Sequence, residues 1–199
     1  MVTVDVGANV GSLSAQYRAV GADVWAIEPD PRCWTALGAA VASGRLLGLA
    51  VADTEGTMTL HRSIDPAQNS LAAANVFLPQ EDDLPPITVP VSTFDRLQAL
   101  GILPVQIDAV KVDTQGSEAA ILRGAERLLS TQSAIWYIEL WNDGLKAAGD
   151  SVAACLKAFR SAGYHQHGYT GTAAEWKRLQ TEAEGLHGHQ SIDVCFVKG

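Results

Sequence analysis

Val2 to Val6 (VTVDV) is a run of β-branched residues that stops at Gly7, and Ser12 to Val20 continues with residues that suit a helix. Strand, glycine turn and helix in that order open a βαβ unit. A second strand is predicted over Asp23 to Ile27 (DVWAI), ending at Glu28-Pro29. Pro31 then suits an early position of a helix running to about Ala42. Leu46 to Ala52 reads as a third strand. Between Asp53 and Pro90 the pattern loosens. Thr57 to His61 alternates like an exposed strand, and polar or proline-rich stretches surround Asn69-Ser70 and Gln80 to Pro86, so this part reads as a connection with small strands of its own.

Helical spacing returns at Ser92 to Leu100, followed by a strand over Ala109 to Val112, a helix over Ser117 to Leu129 and a strand over Ala134 to Leu140. Within that helix Ile121, Leu122, Ala125, Leu128 and Leu129 recur at helical period, as packing on a sheet requires. A helix from about Ser151 to Ala162 precedes two late strands, Tyr164 to Tyr169 and Ile192 to Val197, with a polar stretch containing Trp176 between them. No parallel crossover is read there, which predicts an antiparallel edge.

Composition narrows the class. A chain of 199 residues, 47% hydrophobic and 18% charged, suits a single globular domain over residues 1–199 with one active site. Its 22 acidic against 14 basic residues give a formal charge of −8, which offers no general attraction for phosphate backbones and argues against a nucleic-acid partner. Cys33, Cys155 and Cys195 lack metal-ligand spacing, and reduced thiols in a cytoplasmic setting are expected. No apolar run is long enough to span a bilayer and the amino terminus does not read as a signal peptide, so membrane insertion is not expected. The first residues already read as a core strand, and a preceding segment covering a site is expected to be absent. Oligomeric state is not legible.

The first candidate chemistry lies in Asp5-Val6-Gly7-Ala8-Asn9-Val10-Gly11, between a strand and a helix. Glycines there permit close backbone approach, and the helix start offers free N–H groups, which suits a nucleoside-type ligand beyond the carboxyl ends of the strands. Glu28, at the end of the second strand, is placed to accept hydrogen bonds from both hydroxyls of a ribose. The dinucleotide fingerprint needs its last glycine where this chain has Ser12, which points away from NAD and towards a cofactor without pyrophosphate.

Three segments in order, VDVGANVGSLS, AIEPDP and VKVDTQGSEAAILRGA, resemble the FkbM family of S-adenosylmethionine-dependent methyltransferases. The resemblance runs from Val4 to Ala125 and is loose beyond IWYIELW. It implies a class I methyltransferase fold, Rossmann-like α/β, with a mostly parallel seven-stranded sheet, an antiparallel final strand and helices on both faces. It implies S-adenosylmethionine as cofactor and methylation of a hydroxyl on a sugar, glycan or natural-product small molecule. It places Asp5, Gly7, Ala8, Asn9 and Gly11 around the methionine and ribose, and Glu28 on the ribose hydroxyls. Asp53 is a candidate for the adenine edge, or a plain turn aspartate in ADTEG. The family often shows Asp-x-Glu-Gly-x-Glu where this chain has Asp113-Thr114-Gln115-Gly116-Ser117-Glu118, so Gln115 removes one carboxylate.

Lys111 and Asp113 lie two positions apart on a strand and therefore share a face. A lysine in a central strand needs a partner, and Asp113, Glu118 and Glu139 are the candidates. The cluster is either structural or the floor beneath the transferred methyl, where Asp113 or Glu139, or Lys111 with a depressed pKa, would orient or deprotonate the acceptor. Asp113 with Glu139, Asn142 or Asp143 also offers oxygen ligands of the kind a magnesium-assisted enzyme uses. His187 is the remaining candidate base, in a polar loop. The acceptor pocket is expected from Asp65 to Pro86 and Thr170 to Gln190. Rival readings are N-methylation and a nucleoside-binding module without catalysis.

Overall fold

A computed structural model of the chain describes residues 1–71 and 83–199. A seven-stranded sheet lies at its centre, in the order β3-β2-β1-β7-β8-β10-β9. The first four strands in space are β3 (Leu46–Leu47), β2 (Asp23–Ile27), β1 (Val2–Val6) and β7 (Ala109–Val112). After them come β8 (Ile135–Leu140), β10 (Ile192–Lys198) and, at the edge, β9 (Tyr164–Gln166). Strands β1, β2, β3, β7 and β8 pair parallel, whereas β10 is antiparallel to both β8 and β9. The mostly parallel sheet with an antiparallel final strand is thus present.

Side-chain alternation assigns the two faces. Val4, Val6, Val110, Val112, Trp136, Ile138, Val194 and Phe196 enter one large core with helices α3 (Phe94–Ala99), α4 (Glu118–Arg123), α5 (Glu126–Thr131), α7 (Val152–Ser161) and α8 (Ala173–Glu184). Trp136 lies at its centre, edge-on to Phe94 at 6.0 Å and to Phe159 at 5.8 Å. Val24 and Ala26 point the other way, into a smaller cluster with Tyr17 of α1 (Ser12–Ala19) and Leu37 of α2 (Trp34–Ala40). Burial from both sides is why the parallel strands carry apolar residues on both faces.

The chain runs outward from β1 to β2 and β3, then returns to the far side of β1 with β7. That reversal opens a crevice beyond the carboxyl ends of β1 and β7, where ligands bind in open α/β sheets. A three-stranded sheet, in the order β4-β6-β5, stands beside this crevice and comprises β4 (Ala50–Val51), β5 (Gly56–Ser63) and β6 (Asp83–Ser92).

Several boundaries differ from the sequence expectation, two of them for a tertiary reason. The strand expected over Leu46 to Ala52 divides, because Gly48 packs against the Trp34 ring and the backbone leaves β2 there to pair with β6. The helix expected over Ser117 to Leu129 breaks at Gly124. A Cβ at that position would lie 2.0 Å from the Ala52 carbonyl, and the Gly124 carbonyl accepts the Asp95 N–H. Pro31 lies in a turn before α2 instead of within it, and Ser92 closes β6, so α3 starts after its Thr93 cap. The proline-rich stretch near Gln80 to Pro86 supplies the start of β6 from Asp83, while residues 80–82 lie outside the described residues. Two helices, α6 (Asn142–Ala147) and α8, lie where the sequence pattern predicts none.

Candidate functional site

The turn after β1 carries three left-handed residues, Gly7 at φ 70°, Asn9 at 51° and Gly11 at 88°. Only the glycines adopt this region at little cost, and asparagine tolerates it better than most. Space makes Gly7 more demanding still, since a Cβ there would sit 1.9 Å from the Asp113 carbonyl oxygen. The turn folds over the end of β2, with the N–H groups of Gly7 and Ala8 both donating to the Ile27 carbonyl. Gly7→Ala is therefore expected to lose at least about 2 kcal/mol of stability, measured by denaturant unfolding. A change under about 0.5 kcal/mol, the range of an ordinary surface substitution, would contradict the close approach.

Glu28 lies directly across this turn and is buried, with 6% of its surface exposed. Its Oε2 accepts the Asn9 N–H at 2.9 Å and its Oε1 accepts the Asp30 N–H at 2.8 Å. A carboxylate has about four lone-pair directions, so both oxygens keep accepting capacity towards the cavity they line. Burial pushes the Glu28 pKa up, and the two N–H donors hold it back only in part.

The cavity extends from Gly7, Asn9 and Glu28 across Ile27, Leu49 and Val51 to Asp113, Gln115, Ser117 and Glu139. Its outer wall is the segment after β5, where Pro66, Ala67, Asn69, Ser70 and Leu71 face in. Polar contacts pin this wall at both ends. The Asn69 amide and Arg32 guanidinium each donate to buried Asp30 at 2.7 Å, and the Ser70 hydroxyl donates to the Gln115 carbonyl at 2.8 Å. These wall residues fall within the segment expected to form the acceptor pocket, of which residues 72–82 lie outside the described residues.

Beneath the turn, Lys111 is nearly buried and its Nζ lies 3.2 Å from Asp5 Oδ1, 3.6 Å from Asp113 Oδ2 and 2.9 Å from the Gly7 carbonyl. Asp5 faces Lys111 in register across β1 and β7, which is why it, and not Glu118 or Glu139, joins Asp113 as partner. Burial pulls the Lys111 pKa down, but the charges of Asp5 and Asp113 outweigh it and leave it raised. A depressed lysine acting as base is therefore not what the structure holds. Asp5 itself is fully buried, accepts the Ser14 hydroxyl at 2.6 Å and supports the turn from below instead of lining the cavity. Ala8 and Gly11 also lie behind the lining, Gly11 against Leu37 and Ala40.

At the far end, Glu139 Oε1 accepts the Ser191 hydroxyl at 2.7 Å and Oε2 accepts the Gln115 amide at 3.0 Å. Burial and the charge of Asp113 push the Glu139 pKa up to about 8. Glu118 is completely buried, and its Oε1 accepts the N–H groups of Thr114 and Gly116 and the Thr114 hydroxyl, so it braces the turn that presents Asp113 and Gln115.

Two expected residues lie elsewhere. Asp53 pairs with Arg123 at 2.7 Å, outside the cavity lining. His187 is largely exposed, 3.6 Å from Asp143, in a loop held by the Gly188 N–H on Asp143 and the Trp141 indole on the Gly188 carbonyl. The magnesium expectation finds no ligand set. Asn142 is buried and donates to the Glu184 carbonyl, Asp143 is taken up by that loop, and the Gln115 amide lies between Asp113 and Glu139. Among the described residues no group of three or more His, Cys, Asp or Glu is placed to hold a metal ion. Ser70, Asn69 and Ser117 were not foreseen as individual lining residues, because only the return of β5 and the α4 turn brings them to the crevice.

The family model of the methyltransferase FkbM domain matches residues 5–165, which include the turn, Glu28 and the whole carboxylate cluster. The chain belongs to the FkbM methyltransferase family. A search of curated proteins finds no significant match. Among solved structures, the chain is similar to methyltransferase FkbM from Methylobacillus flagellatus KT, at 18% identity and a TM-score of 0.50, over 98% of this chain and 42% of that one. It spans well under two thirds of that protein's length. It is also similar to a putative S-adenosylmethionine-dependent methyltransferase from Listeria monocytogenes, at 10% identity and a TM-score of 0.50, over 100% of this chain and 91% of that one. Likeness at these identities concerns the fold, and it agrees with the class I sheet order of the FkbM-family chain.

Proposed function

We propose that this FkbM-family chain transfers the methyl group of S-adenosylmethionine to a hydroxyl oxygen of a sugar or other natural-product small molecule. The observation that carries the reading is one continuous cavity with the Gly7–Asn9 turn and Glu28 at one end and Asp113 and Glu139 at the other. The residues present fit the cofactor. The Glu28 carboxylate has free accepting capacity for ribose hydroxyls, Gly7 brings backbone close without a side chain, and Leu49, Val51, Leu60 and Leu71 offer an apolar slot for a flat ring. When bound, the cofactor supplies a methyl group already activated on a sulfonium.

The chain's own residues then have two tasks, holding the acceptor oxygen in line and taking its proton. Glu139, in the cavity and without a cation partner among the described ion pairs, takes that proton. Asp113, steadied by Lys111, orients the hydroxyl. Lys111 and Asp5 keep the turn and the strand end in place without touching the acceptor.

Because burial and Asp113 raise Glu139, the base is mostly protonated at neutral pH and becomes competent as pH rises through about 8. Transfer of labelled methyl to a panel of sugar and phenolic hydroxyls is expected to climb across that range, and Glu139→Gln is expected to abolish the climb and lower the rate by about 100-fold or more. Product on amines but not hydroxyls would overturn the acceptor assignment. A flat profile unaffected by Glu139→Gln would overturn the base.

A further inference from the structure

Gln115 occupies the left-handed region at φ 55°. This conformation costs a residue with a side chain free energy and persists only where its surroundings impose it. Contacts at both ends of the residue do so here. Its carbonyl accepts the Ser70 hydroxyl, while its side-chain nitrogen gives one hydrogen to Asp113 Oδ1 at 3.1 Å and the other to Glu139 Oε2 at 3.0 Å. With carboxylate oxygens on both sides, only the NH2 end of the amide satisfies the geometry.

We propose that Gln115 is a positioning residue whose amide spans Asp113 and Glu139 and joins them into one unit, with Glu139 as the end that binds and releases the proton. The inference rests on the reading of Glu139 as the acceptor's base. The two carboxylates differ in their remaining neighbours. Asp113 faces the Lys111 ammonium, whereas the other oxygen of Glu139 meets the neutral Ser191 hydroxyl. The further charged groups around Glu139 are acidic, namely Asp193 opposite it on β10 and buried Glu118 on α4. A proton shared by the pair therefore settles on Glu139. The Gln115 N–H, like the Ser191 hydroxyl, donates to the ionised form and so favours release of that proton in so acidic a setting. A second carboxylate in place of the amide would do the reverse.

The test follows the Glu139 carboxyl carbon by NMR in protein labelled with carbon-13 glutamate, the signal being assigned by its loss in Glu139→Gln. Gln115→Met removes both donors at similar size, and Gln115→Glu replaces the donor by a charge. Both variants are expected to move the Glu139 titration midpoint up by about one pH unit or more. An unmoved midpoint in folded Gln115→Met overturns the proposal. Should that variant fail to fold, Gln115→Leu, which also removes both donors without adding a charge, decides it by the same criterion, since a merely structural glutamine would lower stability without shifting the titration. Calorimetry with S-adenosylmethionine on the same wild-type sample separates the two readings. Failure of the cofactor to bind counts against the proposed function, whereas binding with an unmoved midpoint counts against Gln115 alone.

Discussion

Replacing Glu28 by alanine is expected to weaken S-adenosylmethionine binding by about 100-fold or more. A hydrogen bond to a charged group contributes roughly 1.5–3 kcal/mol, and about 1.4 kcal/mol corresponds to a tenfold change in affinity. Two ribose hydroxyls on one carboxylate therefore exceed two decades. The carboxylate is buried and already bound by the N–H groups of Asn9 and Asp30, so it is held in place before the ligand arrives. Glu28→Gln is a sharper variant, because its NH2 must face one of those N–H donors or the ribose, and a loss of similar size is expected. Calorimetry on the three proteins measures it. Equal affinity in wild type and Glu28→Ala would take the carboxylate away from the ribose and with it the cofactor reading.

Lys111→Met carries the largest expected effect on stability. It leaves Asp5, fully buried, beside Asp113 with no ammonium between them. Removing one member of a buried ion pair costs about 3–5 kcal/mol, which for a chain of this size lowers the melting temperature by roughly 6–20 °C. Asp5→Asn in the same background removes the stranded charge and is expected to recover part of the loss, so the double-mutant cycle reads the pair directly. A loss below about 1 kcal/mol would mean that solvent reaches the lysine. The pH dependence has a definite sign. The folded-state pKa of Lys111 is raised, so its contribution is full below the ordinary lysine range and is lost only as pH rises through that raised value. The pair is therefore intact at the pH where Glu139 titrates, and the two effects separate.

Much of the crevice is legible in the chain itself. The strand Val2–Val6, the glycine turn and Glu28 at the end of β2 fall where the pattern put them, because these features are local and each has a short-range cause. The capping box of α8, Thr172 with Glu175, was also written in the chain, and the helix was missed because its polar residues outnumber Trp176, Leu179 and Ala183 on its buried stripe. Other misses had no local signal. The exchange of sheets at Gly48 depends on where the Trp34 ring lies, and the break at Gly124 depends on the Ala52 carbonyl.

The same division runs through the site. Residues within one strand or turn, such as Gly7 with Asn9 or Lys111 with Asp113, could be grouped from spacing, since backbone geometry alone sets which of them share a face. Residues joined across strands could not. That Lys111 belongs to Asp5, that the Gln115 amide lies between Asp113 and Glu139, and that Ser70 reaches the Gln115 carbonyl follow from register and from the packing of the second sheet. The sequence by itself determined the family and fold class through its resemblance to the FkbM family, and the turn-and-carboxylate end of the crevice through local pattern. The tertiary structure decided which charges meet, because a Coulomb interaction depends on distance and burial, and neither is written in sequence separation.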